Sequence, residues 1–242
     1  MLIKCERHTK KDLEIWKDYN EIDSIKVNEL KQEKIKKTIE EIKKTVTEKK
    51  SYISVSWGKD SVVLAHLCWL SKVKIPMVWI KEKPMYNPYC KAVRDKFLKK
   101  YKFQYHEIVA DYGDVGFKPF LDKHGDSILF HSIANAVNDS FGRRITGIRN
   151  EESNKRLLRY MNYGITTEKT SAPLSLWKIW EIFAYLKKYD LPIHPNYAML
   201  GGGRYRRKNL RVDCLCGTQG DGIGREEWEK EYYSDIINKY IR

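Results

Sequence analysis

A lysine, an aspartate and two serines surround a single glycine in Ser-Trp-Gly-Lys-Asp-Ser, residues 56–61. Residues 52–56, which lead into this stretch, have the composition of a buried strand, and residues 61–72 have the apolar repeat of a helix. A turn from a strand into a helix presents free backbone N–H groups at the positive end of the helix dipole, which suits an anion such as a phosphate group. The sequence therefore predicts a phosphate-binding loop, and a surface turn with incidental charges is the alternative interpretation.

Strands and helices alternate along the middle of the chain, which predicts an α/β fold. Parallel strands need crossover connections, usually helices, so the alternation favours a parallel sheet with helices on both faces. Ligands of such sheets bind beyond the carboxyl ends of the strands, where both residues 56–61 and the segment after residue 149 are expected. Residues 111–126 are predicted to form a loop or lid. Besides residues 52–56, strands are predicted at 75–80, 103–109 and 143–149, and helices at 61–72, 87–101 and 128–141.

Both ends of the chain are predicted to be helical. Residues 23–50 read as one charged helix with a single apolar stripe, and Asp23 or Ser24 can cap its start. The stripe consists of Ile35, Ile39, Ile42 and Val46. We predict an N-terminal helical segment at 1–50, a nucleotide-binding core at 51–165, and a C-terminal segment of the same domain at 166–242.

The charge balance favours anionic partners. The chain has 242 residues, with 46 Lys and Arg against 32 Asp and Glu, a formal net charge of +14. Nucleotides, nucleic acid and an acidic membrane surface all fit this charge. No apolar run reaches the length of a signal peptide or a membrane span, which predicts a soluble, cytoplasmic protein without a membrane partner. Five scattered cysteines predict reduced thiols rather than a disulfide framework.

Three motifs carry a family resemblance. Residues 56–61 resemble the pyrophosphate loop Ser-Gly-Gly-x-Asp-Ser/Thr of the N-type ATP pyrophosphatases, with Trp57 in place of the first glycine. Residues 147–156, GIRNEESNKR, are similar to the Gly-Ile-Arg-x-x-Glu-Ser-x-x-Arg segment of the phosphoadenosine phosphosulfate (PAPS) reductase-like branch of that superfamily. Residues 172–197 resemble the branch's Pro-Leu, Trp, helix and Leu-Pro-x-x-Pro-x-Tyr element. The resemblance implies a Rossmann-like fold of the HUP type that binds ATP with Mg²⁺ and cleaves it between the α- and β-phosphates.

The resemblance also implies roles for individual residues. Backbone N–H groups of Gly58 to Ser61 would hold the leaving pyrophosphate, Lys59 would neutralise its charge, and the hydroxyls of Ser56 and Ser61 would donate hydrogen bonds. Asp60 could bind Mg²⁺. Trp57, as part of this loop, either narrows the nucleotide site or directs its side chain into the core.

The second motif supplies further nucleotide-binding residues by the same resemblance. Arg149 and Arg156 are suited to bidentate contact with phosphate or sulfate, and Glu152, or Glu151 beside it, could order them or bind a metal. Lys59, Asp60 and Arg149 form the predicted catalytic set. Residues assigned to nucleotide binding are Ser56, Trp57, Gly58, Lys59, Asp60, Ser61, Gly147, Arg149, Glu152, Ser153 and Arg156. A surface salt-bridge helix is the alternative for the second motif.

A basic run marks the predicted site of a second substrate. Residues 201–203 are three glycines, which would permit a mobile flap, and the run RYRRKNLR follows them. We predict that Arg204, Arg206 and Arg207 bind an anionic second substrate, which could be DNA, RNA or sulfate. A solvated loop is the alternative. A homo-oligomer or a partner subunit is compatible with the sequence.

The cysteines beside this run leave other functions open. Cys214 and Cys216 lie where many relatives have a Gly-Cys-x-x-Cys segment, and they could bind zinc or an iron–sulfur cluster, carry redox chemistry, or simply pack. The terminal Glu-Cys-Gly-Ile/Leu-His element of sulfonucleotide reductases does not occur in the sequence. ATP-dependent adenylylation is therefore favoured. A sulfonucleotide reductase or sulfotransferase-like enzyme and a non-catalytic nucleotide sensor in a nucleic-acid-binding complex are the alternatives.

Overall fold

A five-stranded, all-parallel sheet with the strand order β3-β2-β1-β4-β5 forms the centre of the protein. The computed structural model describes residues 1–83, 85–111, 128–212, 214–215 and 225–240, the side chains of 128–130 and 240 excepted. Strand β1 lies between β2 and β4, with Ile53 paired to Met77 on one side and to Ile145 on the other. The strands are β1 (Ser51–Ser54), β2 (Met77–Lys83), β3 (Tyr105–Asp111), β4 (Arg143–Ile145) and β5 (Thr170–Ser171).

Helices connect and cover these strands, and the predicted α/β class is confirmed. The helices are α1 (Lys10–Glu29), α2 (Gln32–Glu48), α3 (Lys59–Leu70), α4 (Cys90–Lys100), α5 (Ile128–Phe141), α6 (Asn154–Tyr163), α7 (Ile179–Lys188) and α8 (Arg225–Tyr240). Short 3₁₀ turns lie at Asn150–Glu152, Pro195–Ala198, Gly201–Gly203 and Arg207–Asn209. No helix in the described ranges is long and apolar enough to cross a membrane. The three-segment division at residues 50 and 165 stays a prediction.

The N-terminal segment contains two helices, which corrects the single helix predicted at 23–50. Helix α1 starts at a capping box, in which the Thr9 hydroxyl accepts from the Asp12 N–H and the Asp12 carboxylate accepts from the Thr9 N–H. Asp23, the predicted cap, lies inside α1 and is buried. The apolar stripe of α2 is confirmed, since Ile35 and Ile42 are buried in the core.

Helix α3 is buried along nearly its whole length and fixes the loop before it. It contacts β1, α2 and α7, so apolar residues occupy all of its sides, among them Val63, Leu64 and Leu67, each 0% exposed. A helix that is hydrophobic all round is a core helix. The Ser56–Ser61 loop is therefore held by a rigid strand and a rigid helix.

The three glycines at 201–203 form a bound turn, which corrects the expectation of a mobile flap. All three have positive φ, between 56° and 104°, which glycine adopts without strain. The Gly202 N–H donates to Asp12 of α1 and the Gly201 N–H donates to the hydroxyl of Tyr232 in α8. The three glycines therefore allow the backbone conformation of this turn. The lid predicted at 111–126 lies outside the described residues, apart from the end of β3.

Candidate active site

A cleft of about 600 Å³ opens at the carboxyl ends of β1, β2 and β4. This is the edge of the sheet where ligands of open α/β folds bind, and β1 lies at the point where the strand order reverses. The volume is within the usual range for a small-molecule site. Its polar lining includes Ser56, Gly58, Lys59, Asp60, Ser61, Asn87, Arg144, Thr146, Gly147, Glu152, Arg156, Tyr197, Arg211 and Arg225. Its apolar lining includes Val55, Trp79, Ile80, Tyr86, Val212 and Leu215.

The first turn of α3 points backbone donors at this cleft. Gly58 is the N-cap residue and provides no side-chain cap, and its carbonyl accepts the first helical hydrogen bond from the Val62 N–H. Within the described part of the chain, the backbone N–H groups of Asp60 and Ser61 have no acceptor. Unpaired donors at a helix start are suited to an anion, and phosphate binding by this loop stays a prediction.

Gly147 lies directly against the same turn. A Cβ atom built on Gly147 would come within 2.9 Å of the Asp60 carbonyl carbon and 3.1 Å of the Ser61 nitrogen. Only glycine allows the loop after β4 to approach the start of α3 this closely. The second sequence motif therefore reaches the first one, as the shared sheet edge predicted.

Trp57 is a core residue, and its indole does not line the cleft. The side chain is 0% exposed and packs against Phe97 and Tyr105, with ring centroids 6.0 and 5.7 Å away. Its backbone has φ 62°, in the left-handed region where the family has glycine. Of the two alternatives given by the sequence, the inward orientation is the one observed, so Trp57 can contribute only its backbone to the predicted nucleotide site.

The serine hydroxyl predicted to donate to phosphate at the helix start serves the loop instead. The Ser61 hydroxyl donates to the Gly58 carbonyl oxygen at 3.0 Å and accepts from the Ser56 N–H at 3.3 Å. These two hydrogen bonds close the turn. Ser56 is exposed at the cleft, where its hydroxyl faces solvent-accessible space. Ser61 thus shapes the loop, and the predicted hydrogen bond from the Ser56 hydroxyl to phosphate stays a prediction.

Lys59 and Asp60 form a buried ion pair at the floor of the cleft. The Lys59 Nζ lies 2.7 Å from Asp60 Oδ2, and the Lys59 side chain is only 4% exposed. Burial lowers the pKa of Lys59, although the charge of Asp60 opposes that shift. Burial alone would raise the pKa of Asp60, but the positive charges of Lys59 and Arg149 outweigh it and lower this pKa. The lowered pKa keeps the Asp60 carboxyl ionised near neutral pH.

Arg149 pairs with carboxylates in the structure, and its predicted contact with phosphate stays a prediction. The guanidinium is 2% exposed, and its Nε donates to Asp60 Oδ1 at 2.6 Å. The same guanidinium also pairs with Glu151 and Glu152. Because its guanidinium donates to Asp60 and Glu151, Arg149 holds the Asp60 carboxylate in place. The predicted ordering role of the two glutamates is present in the same network.

The remaining residues of the second motif divide between the cleft and the helix that follows. Arg156 and Glu152 contact each other and both line the cleft. Ser153 is the N-cap of α6, where its hydroxyl accepts from the Arg156 N–H at 3.3 Å. Ser153 lies outside the cleft lining and positions Arg156 through the helix start.

Arg204, Arg206 and Arg207 lie outside the cleft lining, and their predicted binding of a second substrate stays a prediction. Arg207 is buried and makes two hydrogen bonds of 2.6 Å to Asp23 of α1. Arg204 donates to Glu231 at 2.7 Å on the surface. The sequence run does contribute to the cleft, but through its last member, Arg211.

The sequence did not identify several residues that line the cleft or complete it. Arg144 and Arg225 add positive charge from β4 and from α8. The Tyr197 hydroxyl accepts from the Lys59 N–H at 3.1 Å, and the Tyr197 ring centroid lies 5.2 Å from Lys59 Nζ. Tyr197 is the last residue of the Leu-Pro-x-x-Pro-x-Tyr element, so the motif itself was the available signal. Nothing local in the sequence marks Arg144 or Arg225.

Two cysteines line the cleft, Cys90 at the start of α4 and Cys214. The His194 Nδ1 accepts from the Asn196 N–H at 3.2 Å, so the proton of this imidazole is on Nε2, which lies 3.8 Å from the Cys90 sulfur. Burial lowers the pKa of His194 to about 3, which keeps it neutral. Cys216 lies outside the described residues. Within those residues, no group of three His, Cys, Asp or Glu side chains could hold a metal ion.

The fold and the cleft define a class of protein, an α/β domain in which a helix start faces a cleft at the carboxyl edge of a parallel sheet. The family "Phosphoadenosine phosphosulfate reductase domain" matches residues 50–201, more than half of the chain, and the chain belongs to this family. The family resemblance seen in the sequence motifs is thereby confirmed. No curated protein matches the chain.

Solved structures share the architecture at low sequence identity. NMN synthetase from Francisella tularensis has a TM-score of 0.52 at 14% identity, over 87% of this chain and 93% of that one. PAPS reductase from Candida auris, in a phosphate complex, has a TM-score of 0.48 at 16% identity, over 69% of this chain and 81% of that one. An NH3-dependent NAD synthetase from Campylobacter jejuni, in complex with nitrate, has a TM-score of 0.45 at 17% identity, over 70% of this chain and 77% of that one. The likeness to NMN synthetase shows a shared fold.

Proposed function

We propose that the cleft binds ATP and cleaves it between the α- and β-phosphates, so that an adenylyl group is transferred to a second, anionic substrate. The observation that carries this proposal is the buried Lys59–Asp60 pair beside the unpaired N–H groups of the α3 start. When a cation and oriented backbone donors lie together in a site with little water, they stabilise the charge that develops on a leaving pyrophosphate.

The donor set fits ATP with Mg²⁺. The Gly147 backbone packs against the α3 start without a Cβ, the apolar lining suits a purine ring, and Asp60 offers an ionised carboxylate. Mg²⁺ is usually held by one or two carboxylates together with substrate phosphates, and Asp60 would be such a ligand. When bound, the ion would neutralise phosphate charge.

In this proposal, the protein's own residues position and stabilise rather than react covalently. Lys59 neutralises the growing charge of the leaving group, and the Asp60 and Ser61 N–H groups hold its oxygens. Arg149 keeps the Asp60 carboxylate in place through the 2.6 Å contact. Arg144, Arg156, Arg211 and Arg225 surround the opening with positive charge and would receive the anionic substrate.

A second candidate is suggested by the two thiols in the cleft wall. In a sulfonucleotide reductase, a thiolate would attack the sulfur of the sulfonucleotide, form an S–S bond to the sulfonate, and release the adenosine phosphate. A second thiol would then attack the first sulfur, which yields a disulfide and sulfite, with the cysteines oxidised and the sulfur reduced. Cys90 and Cys214 are the described thiols placed for this chemistry.

ATP–pyrophosphate exchange, measured with and without nucleic acid or sulfate, tests the proposal. Exchange that depends on Lys59 would support adenylyl transfer. Release of sulfite from PAPS, lost in Cys90→Ser or Cys214→Ser, would support the second candidate instead. Nucleotide binding without either reaction would contradict both and favour a sensor.

A further inference from the structure

A second concave site lies at the opposite end of α3 from the cleft. It is a cavity of about 570 Å³ at the amino-terminal edge of β2 and β3, and nothing in the proposed reaction uses it. Helix α3 has 12 residues, so its two ends are roughly 18 Å apart along the axis at about 1.5 Å per residue. We call this cavity the lysine pocket, and it is lined by Trp69, Lys72, Val73, Lys74, Lys102 and Phe103, with Leu70, Ile75 and Gln104.

The lysine pocket combines an exposed aromatic ring with cations. Trp69 is 43% exposed, while the other tryptophans are buried or half-buried, so its ring is the accessible one. Inside the protein, the Trp69 ring stacks on the His66 ring at an interplanar angle of 14°. Phe103 adds a second, half-buried ring. An open indole in a cavity of this size can receive another flat ring.

Carboxylates of the described residues do not neutralise the positive charge around the pocket. Lys72, Lys74 and Lys102 are all exposed, and across the described ranges none of them pairs with a carboxylate. Lys99 and Lys100, at the end of α4, bring further positive charge to the same end of the molecule. Such a cluster is an electrostatic footprint for a polyanion.

Helix dipoles do not account for this cluster. Helices α3 and α4 both end here, and lysines in a last helical turn stabilise the negative end of the dipole. That effect falls off within one turn. Lys74 lies four residues beyond the end of α3 and Lys102 two residues beyond the end of α4, so neither belongs to a helix terminus.

We propose that the lysine pocket binds single-stranded nucleic acid, with a base stacked on Trp69 and the backbone phosphates beside Lys72, Lys74 and Lys102. Cationic grooves with exposed aromatic rings bind single strands without strict sequence preference. A membrane surface fits less well, because a ring recessed in a cavity cannot enter lipid as a protruding amphipathic helix does. The inference is independent of the ATP reaction, since the two sites share no lining residue.

Fluorescence anisotropy of labelled single-stranded DNA and RNA of about 12 nucleotides, without ATP, tests the inference. Trp69→Ala should weaken binding roughly 5- to 150-fold, the range for loss of one stacked base, whereas Trp69→Phe should retain most of the affinity. Tryptophan emission should be quenched by the oligonucleotide in the parent and not in Trp69→Phe. Thermal melts of both variants establish that they are folded.

A salt titration separates this site from general positive charge. The triple variant Lys72→Gln, Lys74→Gln, Lys102→Gln should reduce the slope of log affinity against log salt by about 2, at about 0.7 per lost phosphate contact. A matched control removes three exposed lysines from α2, Lys36, Lys43 and Lys44, and should leave the slope nearly unchanged.

Several outcomes would overturn the inference: equal effects of the two triple variants, no effect of Trp69→Ala, or competition by poly-glutamate as strong as that by the oligonucleotide. Preferential binding of anionic phospholipid vesicles over the oligonucleotide would overturn it as well. Lys59→Ala should bind the oligonucleotide like the parent, so failure of the ATP reaction and failure of this site give different results.

Discussion

Two buried arginine–aspartate pairs with hydrogen bonds of similar length lie in different surroundings. At the cleft, Arg149 donates to Asp60 at 2.6 Å, and both residues belong to the network around Lys59. Away from the cleft, Arg207 donates to Asp23 at the same distance and packs over Phe183, with 3.8 Å from its Cζ to the ring centroid.

The difference lies in what surrounds each pair. Asp60 lines the cleft beside unpaired backbone donors, so its charge can act on a ligand. Asp23 and Arg207 neutralise each other's charge inside the protein and join α1 to the turn at Arg207–Asn209. A buried ion pair is thus evidence for function only where an open site with unsatisfied groups adjoins it.

The largest effect is expected at the cleft. Lys59→Ala and Asp60→Asn should each lower the rate of pyrophosphate release by about 10²–10³, because each removes charge beside the proposed phosphate site. Quenched-flow or coupled pyrophosphate assays measure this, with circular dichroism to establish folding. Lys34→Ala is a matched control, since Lys34 pairs with Glu181 at 2.6 Å outside the cleft lining. Parent-like rates in both cleft variants would refute the loop assignment.

Substitution of the Arg207–Asp23 pair should change the stability of the protein and not the rate of ATP cleavage. Arg207→Met should lower the free energy of unfolding by about 3–5 kcal/mol, because Asp23 would be left buried and unpaired. Chemical denaturation measures the loss, and ATP cleavage well below the melting temperature should be unchanged. Asp23→Leu with Arg207→Met should recover most of the stability. A folded Arg207→Met protein without activity would place this arginine in the reaction after all.

Trp57 belongs both to the cleft loop and to the core, because its backbone forms part of the loop and its side chain is buried in the core. Trp57→Gly should lower the free energy of unfolding by about 2–4 kcal/mol, as a cavity cost of about 3–5 is partly offset by about 1 from relief of its positive φ. Unchanged stability by urea unfolding would show that the core repacks without the indole.

The smallest effect distinguishes two arginines of one sequence run. Arg211→Gln should weaken ATP binding roughly tenfold, or about 1.4 kcal/mol, because Arg211 lines the cleft. Arg204→Gln should change it less than about twofold, because Arg204 pairs with Glu231 elsewhere. Isothermal titration calorimetry compares the pair directly. Equal losses in both variants would argue for a general effect of net charge.

Local motifs predicted the fold and the helix start correctly. The alternation of strands and helices implied the parallel sheet, and the spacing around Gly58 implied the anion-binding turn, since both depend on neighbouring residues. Gly147 was assigned to the site through its motif, and the 2.9 Å approach of a Cβ to Asp60 explains why the position needs glycine.

Contacts between distant residues could not be predicted in the same way. Five cations between residues 204 and 211 look alike in the sequence, yet one pairs inside the core with Asp23, which is 184 positions away. The inward turn of Trp57 depends on Phe97 and Tyr105, which belong to other elements. Arg149 was matched to phosphate by its type, whereas Asp60, Glu151 and Glu152 use its donors.

The fate of the γ-phosphate of ATP tests the central claim most directly. The protein is incubated with γ-labelled ATP and Mg²⁺, alone and with DNA, RNA or sulfate, and the products are separated by thin-layer chromatography. Cleavage between the α- and β-phosphates predicts that the label appears in pyrophosphate for the parent and is lost in Lys59→Ala. Label in orthophosphate, or intact ATP under every condition, would contradict the account.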